Sequence, residues 1–175
     1  EDVNLTGNTV HDIDVFGLYL DRINGSIVRG NGLYELHASG ITLWNVISCQ
    51  VVENVIRDCA GTAIYVHGSE SAEIRGNAVR DAHDAITLDA SFDCSIDDNF
   101  FVACGIVITG STAASWQHRI GNNNTVNGRK IGYFNRVKDQ VVDASPYSQV
   151  IVANTERVTL NDGVFSKVTV AVQVG

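Results

Sequence analysis

One residue recurs through this chain at an almost fixed interval. Asn8, Asn31, Asn54, Asn77 and Asn99 are separated by 23, 23, 23 and 22 residues. Each sits in the same kind of phrase: Leu5-Thr-Gly-Asn8-Thr-Val10, Val28-Arg-Gly-Asn31-Gly-Leu33, Val51-Val-Glu-Asn54-Val-Ile56, Ile74-Arg-Gly-Asn77-Ala-Val79 and Ile96-Asp-Asp-Asn99-Phe-Phe101. A second phrase follows each: Gly17-Leu-Tyr-Leu20, Gly40-Ile-Thr-Leu43, Ala63-Ile-Tyr-Val66, Ala85-Ile-Thr-Leu88 and Gly105-Ile-Val-Ile108. A fixed period of this length marks a repeat architecture, in which no unit buries its apolar face alone and neighbours must stack.

Within each repeat, short alternating runs rich in β-branched residues are separated by Gly, Asn, Asp and Ser, which are strand and turn signals. No stretch keeps a helical period. The spacing therefore predicts an all-β chain: a right-handed, single-stranded parallel β-helix of about six or seven coils, with each strand pairing in register to its copy one repeat later, about 4.8 Å away. Leu5, Val28, Val51, Ile74 and Ile96 form one inward column; Val10, Leu33, Ile56, Val79 and Phe101 form the next. Leu18, Ile41, Ile64, Ile86 and Ile106, with Leu20, Leu43, Val66, Leu88 and Ile108, complete the set. The Asn residues are expected to form a ladder of side-chain amides and to take the left-handed conformation that a tight corner needs.

Composition agrees with a packed domain: the 175 residues are 45% hydrophobic and 18% charged, too apolar for a disordered chain. Twelve Lys and Arg against twenty Asp and Glu leave a net charge of −8, which argues against nucleic acid or an anionic membrane as partner. No apolar run is long enough to cross a membrane. The absence of Met suggests a mature product or a segment of a larger protein. One domain over residues 1–175 is expected: regular coils to 108, an inserted loop over 109–120 that includes Trp116, and irregular coils over 121–175. No capping segment is evident, so flanking domains or self-association are expected to cover the solenoid ends.

The first five coils resemble the parallel β-helix repeats of the pectin-lyase-like superfamily. The stretch Asn124-Thr-Val-Asn-Gly-Arg-Lys-Ile131, followed by Gln149-Val-Ile-Val-Ala-Asn154 and Val158-Thr-Leu-Asn161, is similar to the β-helix domain of NosD-type proteins, where this phrase joins two coil stacks. That group overlaps with repeats named for carbohydrate binding and sugar hydrolysis. The resemblance implies a periplasmic or cell-surface location and, by the family's name, an accessory role in assembling the copper site of nitrous oxide reductase. It carries no catalytic residue over, because the shared motif is the scaffold motif. The signatures of enzymatic β-helices (Asp-Pro-His, Gly-His-Gly with paired Asp, Arg-x-Pro-x-x-Arg and the Gly-Gly-x-Gly-x-Asp calcium repeat) do not occur.

In the second phrase, the residues between the inward ones must point outward. They give an expected exposed strip: Tyr19, Thr42, Tyr65, Thr87 and Val107 beside Asp21, Trp44, His67, Asp89 and Thr109. Tyr19, Trp44 and Tyr65 offer faces for sugar rings, with Thr42 and Thr87 between them; two coil steps of about 10 Å match a disaccharide. His67 and Asp89 fall on adjacent coils, where a general base and its orienting carboxylate, with Asp21 nearby, would suit lyase, hydrolase or epimerase chemistry. Exposed Tyr and Thr also have high strand propensity without any ligand.

A stacked acidic column, Asp12, Glu35, Asp58 and Asp81, needs something to offset its charges. Neighbouring Arg57 and Arg80, backbone N–H groups at a turn, or a calcium ion would serve. His37, His67 and His83 are possible ligands for copper or zinc, with Asp58, Asp81 and His83 the nearest thing to a metal group. Cys49, Cys59, Cys94 and Cys104 stand in small or apolar columns; buried free thiols are expected, with Cys49–Cys59 and Cys94–Cys104 the pairs that sequence alone leaves open. Four functions remain: a polysaccharide-binding surface or periplasmic module, a polysaccharide-active enzyme, an accessory in copper-enzyme maturation, and a structural spacer.

Overall fold

A corner is where a coiled strand is hardest to build, because the backbone groups there turn away from their partners. The computed structural model, which describes residues 2–175, shows how this chain builds them. Each regular coil carries residues in the left-handed region at fixed phases; in the coil of Asn54 they are Glu53 (φ 57°), Asp58 (54°), Gly68 (56°) and Ser71 (55°). Between the corners run short strands that pair in parallel with the next coil. The strands Asn4–Thr6, Ile27–Arg29, Gln50–Val52, Glu73–Arg75, Ser95–Asp97 and Arg119–Ile120 form one six-stranded sheet. The other two sides belong to a twelve-stranded sheet that bends around the coil, with Val55–His67 and Ala78–Asp89 running through both. The fold is a parallel β-solenoid of about seven coils, as the period predicts.

The register is that of the repeat. Leu5 pairs with Val28, Val28 with Val51, Val51 with Ile74 and Ile74 with Ile96, and the column continues to Ile120. The four inward columns fuse into one core whose middle coils are fully buried. Parallel in-register stacking puts like side chains against like, so β-branched and Leu residues fill successive layers at the same position.

The Asn ladder forms, with one correction. The corner conformation belongs to the residue before each Asn, not to the Asn: Gly7, Gly30, Glu53, Gly76 and Asp98 have φ of 67°, 63°, 57°, 67° and 52°. This frees the Asn side chain to turn inward. Asn54 Oδ1 accepts from both the backbone N–H and the Nδ2 of Asn31, each at 2.9 Å. Asn54 Nδ2 donates to the Val28 carbonyl at 2.9 Å and to Asn77 Oδ1 at 3.0 Å. The pattern runs from Asn8 to Asn124, so the ladder outlasts the regular spacing. The acidic column has a similar cause: Asp12, Glu35, Asp58 and Asp81 all lie at φ of 54° or 55°, and Asp is among the side chains that tolerate this region best.

The inserted segment after Thr109 contains a one-turn 3₁₀ helix, Ala113–Trp116, capped by Thr112. Beyond it the chain reverses. Asn127 (φ 52°) and Gly128 (φ 77°) make a two-residue turn in which Thr125–Val126 pairs antiparallel with Arg129–Lys130. The strand Arg129–Asn135 then pairs in parallel with Tyr147–Ala153, and that with Val172–Val174. These strands continue the twelve-stranded sheet and pack against the end of the regular coils. Gln149 meets both the N–H and the carbonyl of Ile106, at 2.9 and 2.6 Å, and Gln173 does the same for Ile108, at 3.1 and 2.7 Å. Two side-chain amides thus stand in for the strand that Ile106–Thr109 would otherwise pair with. Ile131 and Ile151 close the main core from above, while Val150 and Val152 on the opposite face pack with Phe134, Tyr147 and Phe165 in a second, smaller core. Residues 129–174 thus cover the end of the regular coils.

All four cysteines are free and buried, and neither Cys49–Cys59 nor Cys94–Cys104 is bridged. Removing one rung of the ladder tests the account of the corner. Asn54→Ala leaves the Asn31 N–H without its acceptor and takes one donor each from the Val28 carbonyl and from Asn77 Oδ1, which keeps the backbone N–H of residue 54; it is expected to destabilise the protein by about 2–3 kcal/mol. Asn8→Ala, at the open end of the ladder, is expected to cost about 1 kcal/mol. Denaturant unfolding measures both, and equal losses at the two positions would contradict the ladder.

Candidate functional site

The outward residues of the second phrase stand in two adjacent columns. Asp21, Trp44, His67, Asp89 and Thr109 pair rung to rung, and so do Tyr19, Thr42, Tyr65, Thr87 and Val107. Stacking one coil step apart brings planar groups face to face. The rings of Trp44 and His67 lie 4.0 Å apart at 28°, and Tyr65 sits 6.4 Å from Trp44 and 6.2 Å from His67. On the first coil Phe16 and Tyr19 approach to 5.0 Å. The result is a set of aromatic rings spread over three coils.

At the far end of this platform Asp89 collects three donors. Tyr65 Oη and His67 Nδ1 each lie 2.8 Å from Oδ2, and Thr109 Oγ1 donates to Oδ1 at 2.8 Å. Partial burial alone would raise the Asp89 pKa, but the hydrogen bonds from His67, Thr109 and Tyr65 and the charge of His67 outweigh it, so the carboxyl is held below its usual range. An ionised carboxylate only accepts, which places the shared proton on His67 Nδ1 and leaves Nε2 as the ring's other polar atom. Burial, then the hydrogen bond to Asp89 and its charge, push the Tyr65 phenol up to about 12. Tyr65 is thus a fixed donor and a poor base.

Several expectations change. Thr42 and Thr87 are not exposed: Thr42 has 0% of its surface accessible and Thr87 8%. Thr42 lies on the rung between the bulky Tyr19 and Tyr65, and Thr87 is tied to Thr62 and Asp84 at 3.1 and 3.2 Å. No ligand reaches Thr42; these two threonines lie beneath the platform rather than on it. Asp21 does not join the His67–Asp89 pair. It stands two rungs away across Trp44 and binds Arg22 Nε at 3.2 Å. Phe16 is a ring that the sequence pattern misses. Alternation with Leu18 and Leu20 assigns it inward, yet it begins its strand at the edge of the coil and remains 42% exposed, beside Tyr19 at 47%.

The speculative metal groups are not assembled. Asp58 pairs with Arg57 at 3.0 Å, His83 with Asp84 at 3.3 Å and His37 with Asp14 at 2.8 Å. Among the described residues no three His, Cys, Asp or Glu side chains converge as a metal group. The thiols are poor ligands as they stand. Burial raises the pKa of Cys49 and Cys59, and pushes Cys94 and Cys104 up to about 11, which keeps them protonated. A buried imidazole that the sequence reading passed over, His118, occupies the rung above Cys94. It accepts from the Cys94 N–H at 3.3 Å through Nδ1, while Nε2 donates to the Ser115 carbonyl at 2.9 Å. Burial lowers its pKa, so it serves the last coil as a neutral hydrogen-bonding wedge.

Two titrations check the Asp89 network. Asp89 has a folded-state pKa below its unfolded value, so its stabilising contribution is present above the unfolded value and is lost as pH falls through the folded one. The stability difference between wild type and Asp89→Asn is therefore expected to be largest near neutrality and to vanish in acid. Ultraviolet titration should find one tyrosine ionising near pH 12 in the wild type and earlier in Asp89→Asn. An unchanged tyrosine curve would contradict the Tyr65–Asp89 bond.

No curated protein and no solved structure matches the chain. A family model described as "Periplasmic copper-binding protein (NosD)" matches residues 1–154. The parallel coil stack and this match across most of the sequence agree: the chain belongs to the NosD family of periplasmic parallel β-helix proteins.

Proposed function

We propose that this periplasmic β-helix binds a polysaccharide chain on the platform of Tyr19, Trp44 and Tyr65, with His67 and Asp89 supplying the polar contacts. The observation that carries the reading is the sequence of rings on successive coils, ending at a carboxylate held by three donors. Sugar rings present apolar C–H faces that stack on aromatic side chains, and hydroxyl groups that suit a carboxylate and an imidazole. The rings are held by the rigid ladder rather than by loops, so little side-chain freedom is lost on binding.

Copper fits the residues less well. A resident copper centre calls for converging imidazole, thiolate or thioether donors. Here the imidazoles are dispersed, the thiols are buried and protonated, and His67 and Asp89 bond to each other. A second reading, acid–base chemistry on the bound sugar, draws on the 2.8 Å contact that orients His67. It assigns His67 as the proton-transfer group and Asp89 as its orienter, and gives Asp21 no part.

A glycan array probed with wild type and Trp44→Ala tests the first reading. Wild type is expected to bind and Trp44→Ala to lose at least about tenfold in affinity, the weight of roughly 1.4 kcal/mol. Failure of both to bind any glycan, or equal binding by both, would refute it. Product analysis with His67→Ala separates binding from turnover.

A further inference from the structure

Four of the five imidazoles in this chain hold Nδ1 against a carboxylate: His11 with Asp12 at 2.9 Å, His37 with Asp14 and His67 with Asp89 at 2.8 Å, and His83 with Asp84 at 3.3 Å. His118 is the exception. Its Nδ1 faces a donor, the backbone N–H of Cys94, and its Nε2 donates to the Ser115 carbonyl. We infer that His118 is an acid-sensitive latch, whose protonation releases the inserted segment 110–118 from the Cys94 corner and from the strand Arg129–Asn135.

The latch follows from the hydrogen bonds of the ring. An imidazole that accepts at one nitrogen and donates at the other is neutral. A proton added at Nδ1 would set N–H against N–H, in a site where only 5% of the residue is accessible. Other corners meet the same demand with oxygen acceptors that do not titrate. Ser26 Oγ accepts the Val3 N–H at 2.9 Å, and Asn124 Oδ1 accepts the Asn99 N–H at 3.1 Å. His118 stands in the column of Ser26, one residue before the paired series Ile27, Gln50, Glu73, Ser95 and Arg119. It therefore does the work of a corner hydroxyl with a group that weak acid can charge.

Three elements meet at this ring. The corner at Asp93 and Cys94 holds the segment through the His118 Nδ1 bond and through the Asp93 N–H, which donates to the Gln117 carbonyl at 3.2 Å. The strand Arg129–Asn135 holds it through Tyr133, whose Oη accepts the His118 N–H at 3.1 Å and donates to the Trp116 carbonyl. The one-turn helix Ala113–Trp116 supplies the Ser115 carbonyl. Opening at His118 thus parts the segment from two neighbours at once.

The ionisable groups around the ring do not replace it. Asp93 favours a charged imidazole but is paired with Arg119. Burial pushes the Cys94 thiol up to about 11 and raises the Tyr133 phenol, so neither titrates in weak acid. Arg136 bonds Gln117 Oε1. Burial holds His118 below the ordinary imidazole value. A ring freed by opening takes up its proton near pH 6.5, and the latched ring does so only at lower pH. Opening is therefore favoured as pH falls below about 6.5, by about tenfold per unit until the latched value is reached.

Amide hydrogen exchange at Cys94 and His118, corrected for the intrinsic pH dependence of exchange, tests the latch. In the wild type, opening at these amides is expected to rise about tenfold per pH unit below about pH 6.5, while the Asn54 amide keeps its protection. His118→Asn retains an acceptor for the Cys94 N–H and does not titrate, so its opening is expected to be independent of pH over the same range. Asp93→Asn, which removes the Arg119 ion pair, is expected to retain the wild-type slope. A flat wild-type profile would overturn the latch. So would an equal slope in His118→Asn or loss of the slope in Asp93→Asn, since either assigns the proton elsewhere. Should His118→Asn fail to fold, ring nitrogen chemical shifts of the wild type decide. His118 is expected to remain the neutral Nε2–H form at about pH 6, where an unperturbed imidazole is mostly charged. A charged His118 in the closed protein at that pH would also overturn the proposal. None of these outcomes depends on glycan binding.

Discussion

At one corner of each regular coil the backbone N–H of an asparagine points along the stack and finds no carbonyl opposite it. The asparagine of the next coil fills that place. Its Oδ1 accepts the N–H and Nδ2 of the asparagine before it, and its own Nδ2 returns to a carbonyl of the inward strand, as Asn54 does between Asn31, Asn77 and Val28. A buried amide left half-paired costs about 1–3 kcal/mol, as much as burying a large aliphatic side chain contributes, so the arrangement stabilises only when every member is satisfied. This locks the register. A slip of one residue in any coil would turn its Leu or Ile outward and break the ladder at the same time.

The same device appears at other corners and where the regular pattern ends. Gln149 and Gln173 lay side-chain amides against Ile106 and Ile108, replacing the backbone of a missing strand. Ser69 and Ser91 hydroxyls take up the N–H groups of Val46 and Ser69 at another corner, and His118 does so for Cys94. Side chains that mimic the peptide group are how a repeating sheet tolerates interruption without exposing its edge. A stack that satisfies its end internally can carry the antiparallel reversal at Asn127-Gly128 and a second small core above it.

The inward columns were legible in the sequence because stacking in register repeats the same demand every 23 residues, so the pattern of Leu5, Val28, Val51 and Ile74 could be read by eye. The corner conformations were read one residue late. Asn tolerates the left-handed region, and so does Gly, and only the geometry shows that Gly30 bends while Asn31 bonds. The placement of the last strands was not legible, since Gln149 and Gln173 act through partners 43 and 65 residues away that no period connects to them. At the candidate site, alternation placed Trp44, Tyr65, His67 and Asp89 correctly on one face. It failed for Thr42, where direction is outward but bulky rung neighbours remove access, and for Phe16, where direction is inward but the strand starts at an edge.

That division explains why the fold of such a protein is easier to read than its function. The scaffold needs the inward columns, the corner residues and the ladder, and these repeat because each coil faces the same physics. The outward columns are released from that demand. In the column Asp21, Trp44, His67, Asp89 and Thr109 no residue type appears twice in succession, whereas the inward column beside it holds only Leu, Val and Ile. Variation along an outward column is what the scaffold permits. The rings at one end and the carboxylate with its three donors at the other give this face a polarity along the axis that the repeat does not have. The chemistry of the site therefore resides in the departures from the repeat, held in register by the part that does not depart.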